Sequence, residues 1–135
     1  MPFRRALLIY AATLPIFFAI DLVWLGVVAN TFYPRHLGHL LSAQVQWVPA
    51  ILFYLLFIAG IVFFAVRPAL EAGRARRALV NGAFLGLVAY ATYDLTNQAT
   101  MRDWPVIVTV VDLVWGTVLT GSVAWASYQV GRRIA

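Results

Sequence analysis

Two tetrapeptides in this sequence are identical: Asp21-Leu22-Val23-Trp24 and Asp112-Leu113-Val114-Trp115. Each sets a carboxyl three residues before an indole, and on a helix that spacing puts both groups on one face. An acid beside an aromatic ring can protonate an apolar substrate and hold the resulting cation against the ring, an attraction of ~0.5–2 kcal/mol over Trp. A third carboxyl, Asp94, lies in the stretch Tyr90-Ala91-Thr92-Tyr93-Asp94-Leu95-Thr96-Asn97. There Tyr90, Asp94 and Asn97 fall at i, i+4 and i+7 and share a stripe, with Tyr93 one turn before Asn97. The phenols and the amide can satisfy Asp94 or orient the polar group of a ligand. Trp24 also suits a membrane-interface anchor, a role less apt for Trp115, which lies deeper in its segment.

His36 and His39 are three apart and would share one side of a helix. Joined to Asp21 and Asp112 they would make a His/His/Asp set suited to zinc or iron. The spacing fixes no third ligand, and imidazoles in an outer loop equally meet solvent or lipid headgroups, so no metal and no cofactor is assigned. The absence of cysteine excludes disulfides, thiolate metal sites and Cys redox chemistry. No Gly-rich phosphate loop, Ser/His/Asp signature or HExxH is present.

The segments that carry these groups are apolar. The chain has 135 residues, 63% of them hydrophobic and 11% charged, and its mean hydropathy is +0.84. That composition belongs to an integral membrane protein. A spanning helix needs about 20 apolar residues, and four stretches qualify: 6–29, 47–66, 78–100 and 106–130. Short connections between them predict one transmembrane domain over 1–135, an all-α four-helix bundle. The run after Met1-Pro2-Phe3-Arg4-Arg5 is too long for the apolar part of a signal peptide and holds Pro15 and Asp21, so it is expected to be a retained first helix.

The net charge of +5 comes from arginines alone. They lie at the ends of the apolar runs, where topology and anionic headgroups account for them, so nucleic acid is not an expected partner. Arg4, Arg5, Arg67, Arg74, Arg76, Arg77, Arg132 and Arg133 fall on one side of the predicted spans, and only Arg35 and Arg102 on the other. That bias predicts a multi-pass protein with both termini cytoplasmic. Measured from Arg5 and Arg77, Asp21 and Asp94 lie about 24–26 Å up their helices, and Asp112 enters from the opposite surface by about 13 Å. All three carboxyls therefore fall in the outer half of a hydrocarbon core about 30 Å thick.

A charged carboxylate at mid-membrane costs at least ~2.5–3.5 kcal/mol on insertion scales. Three at one level are expected to converge on an interior site, with oxygens within roughly 10 Å of one another, where like charges cannot all be ionised and at least one carboxyl keeps a proton. The plainer alternative is polar glue between helices, worth ~0.6–2 kcal/mol per bond.

The outer connection Thr31–Trp47 holds Pro34, which suits a first helical position, followed by Leu37, Leu40, Leu41 and Val45 at helical spacing. A short amphipathic helix lying in the interface is expected there. Gly82-x-x-x-Gly86 offers a surface for close helix approach. Pro15 frees a backbone carbonyl and predicts a kink, or repair by a hydroxyl such as Thr13 or Tyr54. A faint repeat, Asp21-Leu22 before Phe32-Tyr33-Pro34 against Asp94-Leu95 before Trp104-Pro105, suggests duplicated hairpins.

These motifs together, with Leu25-Gly26, Phe53-Tyr54, Gln98-Ala99-Thr100 and Gly116 extending them, resemble the domain-of-unknown-function family 2177 over nearly the whole chain. The resemblance implies a four-helix bacterial inner-membrane protein and brings no activity with it. From the residues, the leading expectation is an intramembrane pocket that binds a lipid-like or polyene ligand, with Asp21, Asp94 and Asp112 as an acid/base set. Trp24 and Trp115 would line it, and Tyr90, Tyr93 and Asn97 would orient the ligand. Besides membrane lipids, the expected partners are a second copy, in a proton-coupled dimeric transporter, or the other subunits of a membrane complex that this chain would stabilise. Polar residues concentrated toward the outer side favour the pocket over the transporter.

Overall fold

The computed structural model describes residues 1–134. Four helices are long and apolar enough to cross a membrane: α1 Phe3–Leu37, α2 Trp47–Ala72, α3 Ala75–Thr100 and α4 Val106–Gly131. Among the described residues there is no strand, so the chain is an all-α membrane bundle. Arg5 on α1 donates to the carbonyl of Gly131 at the end of α4, which puts both chain ends at the same end of the bundle and sets a cation on the negative end of a helix dipole. That end is called the terminal end below, and the opposite one the loop end.

The first helix is longer than its apolar run predicts. It is α-helical over Phe3–Trp24, widens into a π-helical turn at Leu25–Ala29 and continues as Asn30–Leu37. A short helix is thus present at the loop end, but it opens at Asn30 as a continuation of α1 and not at Pro34. Leu40, Leu41 and Val45 lie in the non-helical connection beyond it, exposed. Pro34 lies inside the α-helical continuation that follows the widened turn. Pro15 likewise lies within unbroken α-helix. Thr13 makes its bond to the carbonyl of Ile9 at 2.7 Å, so it does not repair the carbonyl that Pro15 frees.

The second helix shows the same device. A π-helical turn at Val62–Val66 precedes Pro68, and the side-chain amide of Asn81 donates at 3.3 Å to the carbonyl of Phe64, the group orphaned by that proline. The helix closes at Gly73, whose φ of 67° is left-handed. Arg74 N–H reaches the carbonyl of Ala69 and Gly73 N–H that of Leu70, the paired bonds of a Schellman turn, which glycine allows without a Cβ penalty. At the loop end Asp103, with φ 59°, makes the tight reversal from α3 to α4. Aspartate is among the few non-glycine residues that adopt this conformation readily.

Four-residue spacing decides what each helix buries. Over Phe3–Trp24 of α1 the buried residues are Ile9, Thr13, Phe17 and Asp21. On α3 they are Ala78, Gly82, Gly86 and Asp94. The fourth helix is central and buries a full stripe that includes Thr109, Asp112, Gly116 and Thr120. The apolar core of Phe17, Ile58, Ile61, Val66, Leu119 and Val123 occupies the middle and terminal part of the bundle. The first two turns of α2 pack differently: Trp47, Val48, Ile51 and Leu52 are all exposed. That end of α2 leaves a gap beside α3, and the polar residues lie behind it.

Candidate functional site

The α3–α4 interface determines where the carboxyls meet. A Cβ on Gly82 would stand 2.6 Å from that of Ala124, one on Gly86 would run into Gly116 and Thr120, and one on Gly116 would run into the Tyr90 ring. Gly82 therefore opposes Ala124, Gly86 opposes Thr120 and Tyr90 opposes Gly116. One more turn in this antiparallel register sets Asp94 against Asp112, whose carboxyls are within hydrogen-bonding reach of each other. Asp94 is wholly buried and Asp112 nearly so. Neither oxygen of Asp94 has a donor among the described residues. Two carboxylates offer only acceptors, so this contact becomes a hydrogen bond when one proton sits between them.

Tyr33 completes the pair. Its hydroxyl donates to Oδ1 of Asp112, and the Trp24 indole is within hydrogen-bonding reach of the same hydroxyl. The widened turn at Leu25–Ala29 lies between Trp24 and Tyr33 in the chain. A small cluster of Leu37, Trp104 and Val108, with Phe32 and Tyr33 against it, fastens the end of α1 to the start of α4. Trp104 is itself fixed by donating to Thr109 Oγ1 at 3.2 Å and meets Tyr93 edge-on at 5.7 Å. Tyr33 and Trp104 are visible in the sequence as parts of motifs, yet nothing there assigns them a role. With Pro34 taken as a helix start, Tyr33 falls in a loop, and the continuation of α1 that carries it over Asp112 is lost.

The pair opens onto a cavity of about 320 Å³ lined by Phe53, Ala89, Tyr90, Tyr93, Asp94 and Asp112. Its walls are mainly ring and methyl groups with the two carboxyls among them, the kind of lining small-molecule sites have. Tyr90 and Tyr93 both stand at this cavity. Asn97 is half-buried one turn beyond, within hydrogen-bonding reach of the Tyr93 hydroxyl.

Asp21 lies elsewhere. It is buried beside Trp115, whose indole N–H has it within reach, although that N–H makes no bond of ordinary geometry among the described residues. Asp21 is absent from the cavity wall. The three aspartates are linked through Tyr90, whose hydroxyl is within electrostatic reach of all of them. The two indoles of the repeated tetrapeptide stack on each other, centroids 4.4 Å apart and planes 8° from parallel. Their inner faces are therefore occupied, and a cation near Asp94 and Asp112 meets Phe53, Tyr90 and Tyr93 instead. Stacking is the use the repeat serves: antiparallel α1 and α4 present the same acid and indole to one another.

The histidines do not join this centre. His36 packs on the Phe32 ring at 4.7 Å and His39 is exposed. Among the described residues no three His, Asp or Glu side chains form a metal-ligating group.

The chain matches the model of DUF2177, a family of predicted membrane proteins, over residues 6–129. It belongs to that family. No curated protein and no solved structure matches it.

Proposed function

We propose that this DUF2177 member holds a lipid-like or polyene molecule in the cavity between α2 and α3 and exchanges a proton with it through the Asp94–Asp112 pair. The observation that carries the reading is Asp94: a wholly buried carboxyl, with no donor on either oxygen among the described residues, that shares with Asp112 the wall of a cavity lined otherwise by aromatic residues and Ala89. Burying such a group without partners costs several kcal/mol, and a proton shared with Asp112 or a polar group of a ligand offsets that cost.

In this scheme the shared proton moves to the ligand, and the positive charge it creates is met by the rings of Phe53, Tyr90 and Tyr93. The two carboxylates left behind are held apart from full repulsion by the Tyr33 hydroxyl on Asp112. Return of a proton from a neighbouring carbon restores the pair, so a double-bond shift needs no co-reactant. Asp21, against Trp115, acts on the site through Tyr90 and is a positioning residue. The protein works in a bacterial inner membrane with both termini cytoplasmic, which puts the carboxyl pair in the outer half of the bilayer.

The test is the lipid extract of gently solubilised protein, compared by mass spectrometry between wild type, Asp94→Asn and Asp21→Asn. The Asp94→Asn substitution preserves size and offers an amide donor to Asp112, so the bundle persists while the exchangeable proton is lost. A co-purifying species held or altered by wild type and Asp21→Asn, and lost or unaltered in Asp94→Asn, supports the reading. Identical extracts from all three would leave the aspartates as polar glue.

A second reading, a proton-coupled transporter, draws on one further observation. Buried Thr120 and Ser127, neither hydroxyl partnered among the described residues, continue the polar stripe of α4 from Asp112 toward the terminal end. They carry polarity into the terminal half of α4. Proton flux into proteoliposomes that depends on Thr120 would favour this reading over the closed pocket.

A further inference from the structure

The gap beside the carboxyl pair does not end there. Phe53 borders both the carboxyl cavity and an apolar hollow of about 490 Å³ over Gly60 and Leu85. Phe64 and Leu85 border that hollow and the next, beside Val80 and Asn81. Val80 and Asn81 in turn border a cavity of about 610 Å³ that also holds Arg74, Arg76 and Arg77. Shared wall residues make these a single groove along the α2–α3 seam, apolar through its length and cationic at its terminal end.

From Arg77 to Ala89 is twelve residues of α3, about 18 Å of helix. Half of a hydrocarbon core is about 15 Å. One leaflet-length acyl chain therefore fills the groove from the arginines to the edge of the carboxyl cavity. The charge at its end is available: Arg67 is paired with Glu71 at 3.1 Å, whereas Arg74, Arg76 and Arg77 have no carboxylate partner among the described residues. Gly60 gives an independent indication. A Cβ there would meet nothing within 4 Å, so close helix packing does not explain a residue less favourable in a helix than alanine. Its effect is to keep the floor of the groove low.

We propose that this groove is the seat of one anionic glycerophospholipid, its phosphate in the Arg74, Arg76 and Arg77 corner and one chain lying over Gly60 toward Phe53. The site stands whether or not the carboxyl pair does chemistry, since it needs neither Asp94 nor Asp112. Lipid at an unspecific annulus would respond to total charge at the terminal end. Lipid in this seat responds to the corner and to the groove.

The test uses full-length protein in nanodiscs of equimolar phosphatidylglycerol and phosphatidylcholine, released into native mass spectrometry, with thermal unfolding of each variant as the folding control. Wild type is expected to retain one phosphatidylglycerol. Arg76→Gln with Arg77→Gln should weaken retention about 25-fold, roughly fivefold for each arginine at ~1 kcal/mol apiece. Arg132→Gln with Arg133→Gln removes the same charge at the same end and should leave retention unchanged. Gly60→Phe fills the groove with all arginines in place and should abolish retention, while Gly26→Phe, also into open space, should not. Equal loss in the two arginine pairs means an annular lipid only and overturns the proposal. Undiminished retention in Gly60→Phe overturns it as well, and that variant decides the matter if the arginine pair fails to fold.

Discussion

Asp94 stands opposite Asp112 because Gly86 lets α3 lie directly on Gly116 and Thr120 of α4. The carboxyl pair is the last step of a ladder whose lower rungs are glycine contacts. Close backbone approach in the apolar part of the interface is therefore what sets the distance between the two acids.

Gly86→Ala should separate the helices at that rung. Its Cβ would run into the Gly116 carbonyl and the Thr120 side chain, with backbone unable to yield cheaply, and overpacking of this kind costs ~1–3 kcal/mol. The expected result is a lower unfolding temperature in detergent, together with a loosened Asp94–Asp112 contact read as faster hydrogen exchange around both residues. Gly26→Ala, into open space, should leave both unchanged. Equal behaviour of the two variants would mean that the glycine contacts do not hold the register.

This ladder was open to sequence reasoning. Gly82, Gly86, Tyr90 and Asp94 are spaced by four, and so are Asp112, Gly116, Thr120 and Ala124. Reading the second series against the first in reverse pairs the acids and places Tyr90 on Gly116. The spans and the burial of all three aspartates were legible because a spanning helix has a required length and an intramembrane acid a known cost. Two things were not. The continuation of α1 to Leu37 depends on a π-helical turn, which leaves no composition signal, and Pro34 mimics a helix start. The separate seat of Asp21 against Trp115 depends on rotation of α1 about its axis, which equal depth in the membrane leaves free.

Tyr33→Phe removes the donor to Asp112 and keeps the ring among Phe32, Leu37 and Trp104. Loss of a bond to an acidic group of this kind costs ~1.5–3 kcal/mol. Unfolding temperature should fall in Tyr33→Phe but not in Tyr93→Phe, whose ring is largely exposed at 59%. Trp104→Phe should act in the same direction as Tyr33→Phe, since it removes the donor to Thr109 that fixes the cluster. The double variant should cost less than the sum, because both act on the seating of one hydroxyl. Strict additivity would separate the cluster from the site.

The arginine bias bears on orientation. Arg5 at Gly131 ties the chain ends together at one end of the bundle, so a single reporter fixes the whole. Fusions at residues 40 and 103 should be external and one at residue 73 cytoplasmic. An internal score at residue 40 would invert the bundle and move the carboxyl pair to the cytoplasmic half of the bilayer.

The final prediction concerns the proton between the acids. Asp94 and Asp112 face each other in the bundle, and the donor found there is Tyr33, on Asp112 alone. Two bare carboxylates in that position would repel at close range in a medium of low dielectric, whereas one proton turns the contact into a strong O–H···O⁻ bond. Infrared spectra of the purified protein at neutral pH should therefore contain a protonated-carboxyl band that shifts in deuterium oxide. It should vanish in Asp94→Asn, where the amide supplies the bridging hydrogen, and equally in Asp112→Asn, because the proton belongs to the pair and not to either residue. Asp21→Asn leaves the pair in place and should preserve the band. Persistence of the band in both Asp94→Asn and Asp112→Asn, with its loss in Asp21→Asn, would place the buried proton beside Trp115 and remove the acid from the cavity.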